Sequence, residues 1–411
     1  MKRDAAIKRA SAYFDSGGFQ SDLSNLIAFR SESQNESVGA KDQCRRYLND
    51  AVLPRLQDLG VSCQIIENPD LSGGPLLLGE RKESADLPTV LTYGHGDTVL
   101  GQDSMWRPGL EPWTLKEEGD RLYGRGTADN KSQHLINIAA LEAVLAERGR
   151  LGFNLRIVIE MSEEVGSPGL AEVFAKHKER LTADVLIASD GPRLQPDVPT
   201  IFMGSRGCVN FDLIVKTHEG AHHSGNWGGL LADPAMILAH ALASISDRRG
   251  RINVPEWRPD SLSDDVRAAL KELPVAGGDG PEVDVGWGEE SLTPAERVFG
   301  WNSFAVLAMV SGVPDAPLNA ISGWARATCQ LRFVVGTDPQ DILPALRRFL
   351  DANGFGHVKI EPDDGGSFTA TRLDPSHPWA AFVERSIKET KGGPLHVLPN
   401  LAGSLPNASF T

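Results

Sequence analysis

Cysteine is scarce in this chain of 411 residues, and its four copies form no CxxC pair. They are scattered through the sequence at Cys44, Cys63, Cys208 and Cys329. A disulfide framework or a zinc cage built from thiolates would need more cysteines at closer spacing. We therefore expect free thiols in a cytoplasmic protein that folds around ordinary hydrophobic cores.

Basic residues and long apolar runs are also few. Lys and Arg total 41 against 55 Asp and Glu, and the resulting net charge of −14 argues against nucleic acid or an anionic membrane as a partner. No apolar run is long enough to span a bilayer, and the start of the chain lacks the apolar core of a secretory signal. The absence of a GxSxG motif disfavours an α/β hydrolase with a serine nucleophile.

Short apolar runs alternate with helical patterns in the first half of the chain. Residues 75–79, 89–94, 154–160 and 183–188 have the length and β-branched character of buried strands. Residues 130–148 carry apolar side chains at the spacing of an amphipathic helix. This order of strands and helices predicts an α/β fold with a mainly parallel sheet.

The pattern changes near Gly204. The alternation over 209–215 predicts a half-exposed strand, and a second strand is expected at 325–335. Helices are expected at 233–245 and 339–353, separated by irregular sequence rich in Pro, Gly and acidic residues. These elements predict a small α+β module inserted into the first domain.

Polar residues follow the predicted strands or open the helix after them. They are Gly94-His95-Gly96-Asp97, Asp129-Asn130, Glu163-Glu164 and Ser189-Asp190. Taken singly, each has a purely structural alternative, such as a capping aspartate, a helix N-cap, a solvated loop or a strand-end turn. Because parallel strands end at one edge of a sheet, the four groups together predict one imidazole and several carboxylates around a pair of divalent metals.

With these motifs the chain resembles, over essentially its whole length, the dinuclear zinc hydrolases of metallopeptidase family 20. That family includes carnosinase-type dipeptidases, carboxypeptidase G, aminoacylases and succinyl-diaminopimelate desuccinylase. The resemblance implies metal ligation by His95, Asp129 (bridging both metals), Glu164 and Asp190. It also implies that Asp97 orients His95, that Glu163 is the general base, and that a cis peptide follows Asp129.

The resemblance extends to the inserted module. In the motif that ends in His223-Ser224-Gly225, His223 is implied to reach the active site of a partner subunit and to help stabilise the oxyanion. Asn319 and Arg332 match residues that contact the carbonyl and carboxylate of the substrate. Gly403 and Ser404 match a loop that touches the substrate.

One part of the family pattern has no counterpart. The family's last zinc-ligating histidine follows the substrate loop, together with a final strand and helix, whereas this sequence has no histidine after His396. The resemblance therefore implies a chain shortened at its C-terminus relative to the family. It also implies a catalytic domain of 1–204, an inserted lid and dimerisation domain of 205–370 and a return segment of 371–411.

From these residues we expect metal-dependent hydrolysis of an amide or peptide bond in a small substrate with a free carboxylate. A dipeptidase is favoured over an N-acyl-amino-acid deacylase, and a catalytically impaired remnant is the remaining alternative. The expected cofactors are two divalent ions, zinc before cobalt or manganese, and the expected assembly is a homodimer formed through the lid. Neither nucleic acid nor a membrane is an expected partner.

Overall fold

The computed structural model describes residues 2–35, 37–275, 281–363 and 367–410. They form two compact units. The first unit comprises Met1–Pro192 with Ser409–Thr411, and the second comprises Arg193–Ala408. Within the described part of the chain, no helix combines the length and the apolar character needed to cross a membrane.

The first unit is an α/β unit. Its strands are β1 (Ser62–Ile66), β2 (Leu76–Arg81), β3 (Thr89–His95), β4 (Lys116–Glu118), β5 (Arg121–Tyr123), β6 (Asn154–Glu160) and β7 (Val185–Ala188). Its helices are α1 (Lys2–Asp15), α2 (Gly18–Ile27), α3 (Val38–Arg46), α4 (Leu53–Asp58), α5 (Lys131–Arg148), α6 (Leu170–Lys176) and α7 (Lys178–Leu181). A π-helical stretch, Tyr47–Val52, joins α3 to α4.

The main sheet of this unit has the strand order β1-β2-β6-β3-β7. Strands β6, β3 and β7 run parallel, whereas β1 and β2 add antiparallel neighbours at one side. The predicted α/β class is thus confirmed, and the parallel pairing in this sheet is confined to β6, β3 and β7, which lead into candidate site residues.

Side chains of successive strand residues enter two different cores. Leu77 and Ile157 pack with α2, the π-helical stretch and α5 on one face, whereas Leu76 and Val158 pack with α6 and α7 on the other. Because strand side chains alternate between faces and both faces are covered, these strands read as continuous apolar runs. The carboxyl ends of the central strands, where the site lies, are therefore supported by a buried core on each face of the sheet.

The second unit is built around a four-stranded antiparallel sheet with the order β10-β11-β9-β12. Its strands are β8 (Thr200–Phe202), β9 (Gly207–His223), β10 (Ser303–Ser311), β11 (Ala320–Phe333), β12 (Lys359–Pro362) and β13 (His396–Leu398). Its helices are α8 (Ser224–Trp227), α9 (Pro234–Ile245), α10 (Asp264–Leu270), α11 (Pro294–Phe299), α12 (Ile342–Ala352) and α13 (Pro378–Lys391). Helices α9 and α12 cover one face of the sheet and bury Leu213, Leu238 and Leu346.

Strands β10 and β12 of this sheet were not predicted from the sequence, and β10 shows why. Its apolar residues follow one another without alternation, so periodicity does not identify it. It is an edge strand, and Val306, Leu307 and Met309 are exposed on it. Strands β9 and β11 are also longer than predicted, because they pair along most of their length from Gly207 to His223.

The three-segment domain division stays a prediction. Packing assigns 193–204 and 371–408 to the second unit. Two sets of contacts account for this assignment. Strand β8 pairs with β13, and the backbone of 204–206 bonds with Leu401 and with the Thr371 N–H.

Candidate metal centre

The candidate site lies at the carboxyl ends of three neighbouring strands in the first unit. Strand β3 lies between β6 and β7 and runs parallel to both, so the three strands end at one edge. His95 is the last residue of β3, and Asp190 comes shortly after β7. Glu163 and Glu164 begin the 3₁₀ turn that follows β6, and Asp129 lies in the loop before α5.

Three of the four predicted metal ligands converge. His95 Nε2 lies 2.9 Å from Asp129 Oδ1 and 3.7 Å from Asp190 Oδ2. One ligand atom from each of the three residues lies within 4.8 Å of the other two, and no second group of this kind occurs among the described residues. Glu164, the fourth predicted ligand, is outside this group. An imidazole with carboxylates is a donor set that suits zinc and related divalent metals.

Asp97 connects the histidine to the glutamate turn. His95 Nδ1 lies 3.1 Å from the Asp97 carbonyl oxygen and 3.2 Å from Asp97 Oδ1. The fully buried Asp97 carboxylate also accepts hydrogen bonds from the backbone N–H groups of Glu163 and Glu164, at 3.2 and 3.1 Å. Since Nδ1 is engaged by Asp97, Nε2 is the ring nitrogen that faces the other acids.

Burial makes negative charge costly in this site. It raises the pKa of Asp190 to about 6, the pKa of Glu164 to about 7 and the pKa of Glu163 to about 9. The charge of Asp129 adds to the first two shifts. Burial lowers the pKa of His95, but hydrogen bonds with two aspartates outweigh it and raise this pKa well above its usual value. A bound cation would relieve the repulsion among these carboxylates.

A metal ion also fits an unpaired atom of the cluster. Asp190 Oδ2 is buried and has no hydrogen-bond partner among the described residues. Buried polar atoms are rarely left unpaired, because the loss of water is then uncompensated. The same oxygen is the Asp190 atom closest to His95 Nε2. A cation between them would supply the missing partner, so the residues present fit a metal.

Asn130 belongs to one of the motifs predicted from the sequence, but no role was predicted for it. Its side chain is fully buried, its amide nitrogen donates to the Ser189 carbonyl oxygen at 2.6 Å, and its Oδ1 accepts from the His95 backbone N–H at 3.4 Å. It therefore ties the end of β3 to the end of β7. The peptide bond between Asp129 and Asn130 is cis, as the family resemblance implied. Its position next to Asp129 was the only sequence signal.

Two arginines of the second unit, Arg206 and Arg332, have no acidic partner among the residues that the structure describes. Arg332 Nη1 donates to Ser404 Oγ at 2.9 Å. Arg206, which is 6% exposed, donates to the Ala402 carbonyl oxygen at 2.8 Å and to Ser303 Oγ at 3.1 Å. Burial, and then the charge of Arg332, lower the pKa of Arg206 to about 10. Two guanidinium groups that repel each other electrostatically and have no carboxylate partner in the described part of the chain favour the binding of an anion.

The remaining predicted site residues also lie in the second unit. His223 ends β9 and caps α8, since its Nδ1 accepts from the Gly225 N–H at 3.1 Å. Asn319 is exposed just before β11, and its carbonyl oxygen accepts from the Ser224 N–H at 2.9 Å. Gly403 lies in the bend next to Ser404. The roles implied for these residues stay predictions.

Comparison with known proteins identifies the family. The profile of Peptidase family M20/M25/M40 matches residues 91–407. A cysteinylglycine-S-conjugate dipeptidase of Corynebacterium striatum is 27% identical over 394 residues, which cover 94% of this chain and 83% of that protein. A Beta-Ala-His dipeptidase of Mus musculus is 35% identical over 201 residues, or 48% of this chain and 40% of that protein.

A solved structure supports the fold. The M20 family metallo-carboxypeptidase Sso-CP2 from Sulfolobus solfataricus matches with a TM-score of 0.79 at 23% identity, over 95% of this chain and 88% of that chain. The profile match includes every strand-end motif from His95 to Asp190. The family resemblance of the sequence is therefore confirmed, and the chain belongs to peptidase family M20/M25/M40.

Proposed function

We propose that this chain is a metal-dependent dipeptidase. The observation that carries the proposal is the convergence of His95, Asp129 and Asp190, with a buried carboxylate oxygen that has no partner among the described residues, beside two half-buried glutamates. The dipeptidases among the relatives favour small peptides as substrates. An N-acyl-amino-acid deacylase would use the same residues and is the alternative that the assay below tests.

The proposed cofactor is a pair of divalent ions, zinc before cobalt or manganese. His95, Asp129 and Asp190 would hold one ion, and Asp129 with Glu164 would contribute to the second. When bound, such ions act as Lewis acids on a carbonyl oxygen and make water a better nucleophile near neutral pH. Nearby positive charge would also lower the pKa of Glu163 and favour its ionised form.

The residues of the chain then have distinct proposed roles. Glu163 takes a proton from the attacking water and passes it to the leaving amine nitrogen. Asp97 keeps the His95 ring oriented and holds the N–H groups of the glutamate turn. His223 of a second copy is proposed to stabilise the oxyanion, and Asn319 to contact the substrate carbonyl.

A free carboxylate on the substrate is proposed to bind in the second unit. Arg332 presents a guanidinium next to Ser404, and Gly403 adds a backbone that a ligand can approach closely. Arg206 adds a second positive charge that has no acidic partner among the described residues. Paired hydrogen bonds from a guanidinium suit the planar geometry of a carboxylate, so this site favours peptides with a free C-terminus.

We also propose a homodimer formed through the second unit. Strand β10 has no strand on its outer side among the described residues, and it exposes three large apolar side chains. Such an edge is a template for pairing with another chain unless something covers it. A cytoplasmic location, suggested by the four free cysteines, is proposed with it.

The test is a substrate panel with zinc-loaded protein of this full sequence. Dipeptides, dipeptide amides and N-acyl amino acids would be compared by amine release, with Glu163→Gln as the inactive control. Hydrolysis of dipeptides in preference to the other two classes supports the proposal. Preference for N-acyl amino acids supports the deacylase instead, and no metal-dependent turnover of any substrate refutes both.

A further inference from the structure

Glu160 is a buried carboxyl group that the proposed chemistry does not use. It is the last residue of β6 and is fully buried in the first unit. Its Oε1 accepts hydrogen bonds from the hydroxyls of Tyr93, at 2.6 Å, and Ser167, at 2.9 Å. Its Oε2 accepts from the Ser162 hydroxyl at 3.3 Å. A buried acid with three hydroxyl donors is an organised network, not an incidental contact.

The two serines lie on either side of the turn that carries Glu163 and Glu164. Ser162 precedes the turn, and the backbone N–H of Ser167 donates back to the Ser162 carbonyl oxygen at 2.9 Å. Ser167 has a φ of 51°, in the left-handed region that residues other than glycine rarely adopt. Such a conformation persists only where surrounding contacts hold it, and the bond to Glu160 is one of them.

Asp97 and Glu160 hold different parts of this turn. Asp97 accepts from the backbone N–H groups of Glu163 and Glu164 and also faces the His95 ring. Glu160 accepts from the side chains that flank the turn. The N–H groups of Val165 and Gly166 close the turn by donating to the carbonyl oxygens of Ser162 and Glu163. The bonds of Glu160 to the hydroxyls of Ser162 and Ser167 add contacts where the turn begins and where it ends.

We propose that Glu160 is a positioning residue that, through Ser162 and Ser167, fixes the turn carrying Glu163 and Glu164. Glu160 itself touches no reacting atom in this account. The expected effect on turnover rests on the proposed function. An effect on metal retention is also expected, because Glu164, a proposed metal ligand, lies in the same turn. A displacement of reacting groups by about 1 Å can cost up to about a hundredfold in rate, so a loosened turn has a measurable effect.

Ser167→Gly is the most informative variant. It removes the hydroxyl that bonds Glu160, and glycine adopts a positive φ without a steric cost, so the fold is not strained. Tyr93→Phe is the matched control, because it removes a donor to the same Glu160 oxygen from a strand residue outside the turn. Glu160→Gln is the conservative variant, since its amide oxygen still accepts from Ser167.

We expect Ser167→Gly to lower kcat about tenfold with KM within about twofold of wild type. It should also retain less zinc per chain after dialysis against metal-free buffer, at an unchanged Tm. Tyr93→Phe and Glu160→Gln should keep kcat and zinc retention within about twofold of wild type, because the bond to Ser167 remains in both.

Equal effects of Ser167→Gly and Tyr93→Phe on kcat and zinc retention would overturn the inference, since the network would then contribute only general stability. Wild-type kcat and zinc retention in Ser167→Gly would overturn it as well. If wild-type protein hydrolyses no substrate, the proposed function fails separately, and the comparison of zinc retention between the two variants still decides the inference.

Discussion

Asp190→Asn is expected to change stability in opposite directions with and without a divalent cation. The Asp190 side chain is 8% exposed, and its Oδ2 has no hydrogen-bond partner among the described residues. In metal-free protein, burial and the charge of Asp129 raise its pKa from 3.8 to about 6. The ionised carboxylate therefore opposes folding, whereas a neutral amide carries no charge to desolvate.

The size of the stability change and the pH range over which it occurs follow from this pKa shift. Because the folded pKa lies above the unfolded one, the folded chain binds more protons between about pH 4 and pH 6, and its stability falls as pH rises through that window. A shift of about two units corresponds to about 3 kcal/mol. Metal-free Asp190→Asn should thus be up to about 3 kcal/mol more stable than wild type at about pH 7.5, and no more stable below about pH 4.

Urea unfolding with a chelator and with saturating zinc measures both effects. With zinc, wild type should gain more stability than the variant, because the amide is a poorer ligand and stabilisation follows the affinity for the folded state. Asp86→Asn, at an exposed aspartate of the same unit, is the matched control. It should change the free energy of unfolding neither with the chelator nor with zinc. A metal-free variant that is no more stable than wild type at about pH 7.5, or equal gains from zinc, would refute the reasoning.

Three further changes test other parts of the structure. Arg206→Lys should raise KM for a dipeptide about tenfold, with little change in kcat and little effect on KM for a dipeptide amide, because lysine lacks the planar guanidinium that makes both hydrogen bonds. Steady-state kinetics on both substrates would check this. An equal rise in KM for the dipeptide and its amide would contradict it. Leu307→Lys on strand β10 should shift the proposed dimer to monomer in sedimentation velocity, since a charge at an edge strand opposes pairing, and an unchanged assembly would place the interface elsewhere. Leu77→Ala should lower the free energy of unfolding, measured in urea, by about 2–5 kcal/mol, because it opens a cavity in a fully buried face of the sheet. A loss under about 1 kcal/mol would mean that the neighbouring side chains fill the cavity.

Local patterns were enough to predict four strands of the main sheet of the first unit, β2, β3, β6 and β7, and helix α5. The runs that form β3 and β6 are apolar over their whole length because both faces of the sheet are covered, and the polar residues begin where burial ends. His95 and Asp97 are two residues apart, so their contact is nearly dictated by the turn after β3. The helix over 131–148 follows from its own periodicity.

Contacts between distant segments decided what the sequence did not reveal. Arg206 bonds with Ala402, 196 residues away, and nothing near Arg206 in the chain marks it as a paired guanidinium. Strand β10 has no alternation and is a strand only because β11 pairs with it. Such assignments depend on which segments become neighbours, which local propensity does not determine.

The sequence by itself determined the family, the α/β class and the residue types at the ends of the strands, because those depend on short motifs and on burial patterns that recur every two or four residues. Only the tertiary structure decided that His95, Asp129 and Asp190 meet within 4.8 Å and leave one buried oxygen without a partner in the described part of the chain. It also decided that Asn130 links the ends of β3 and β7, and that Glu160 accepts from the serines on both sides of the glutamate turn. The physical reason is that hydrogen bonds and desolvation act at distances of a few ångströms, and folding alone brings these segments that close.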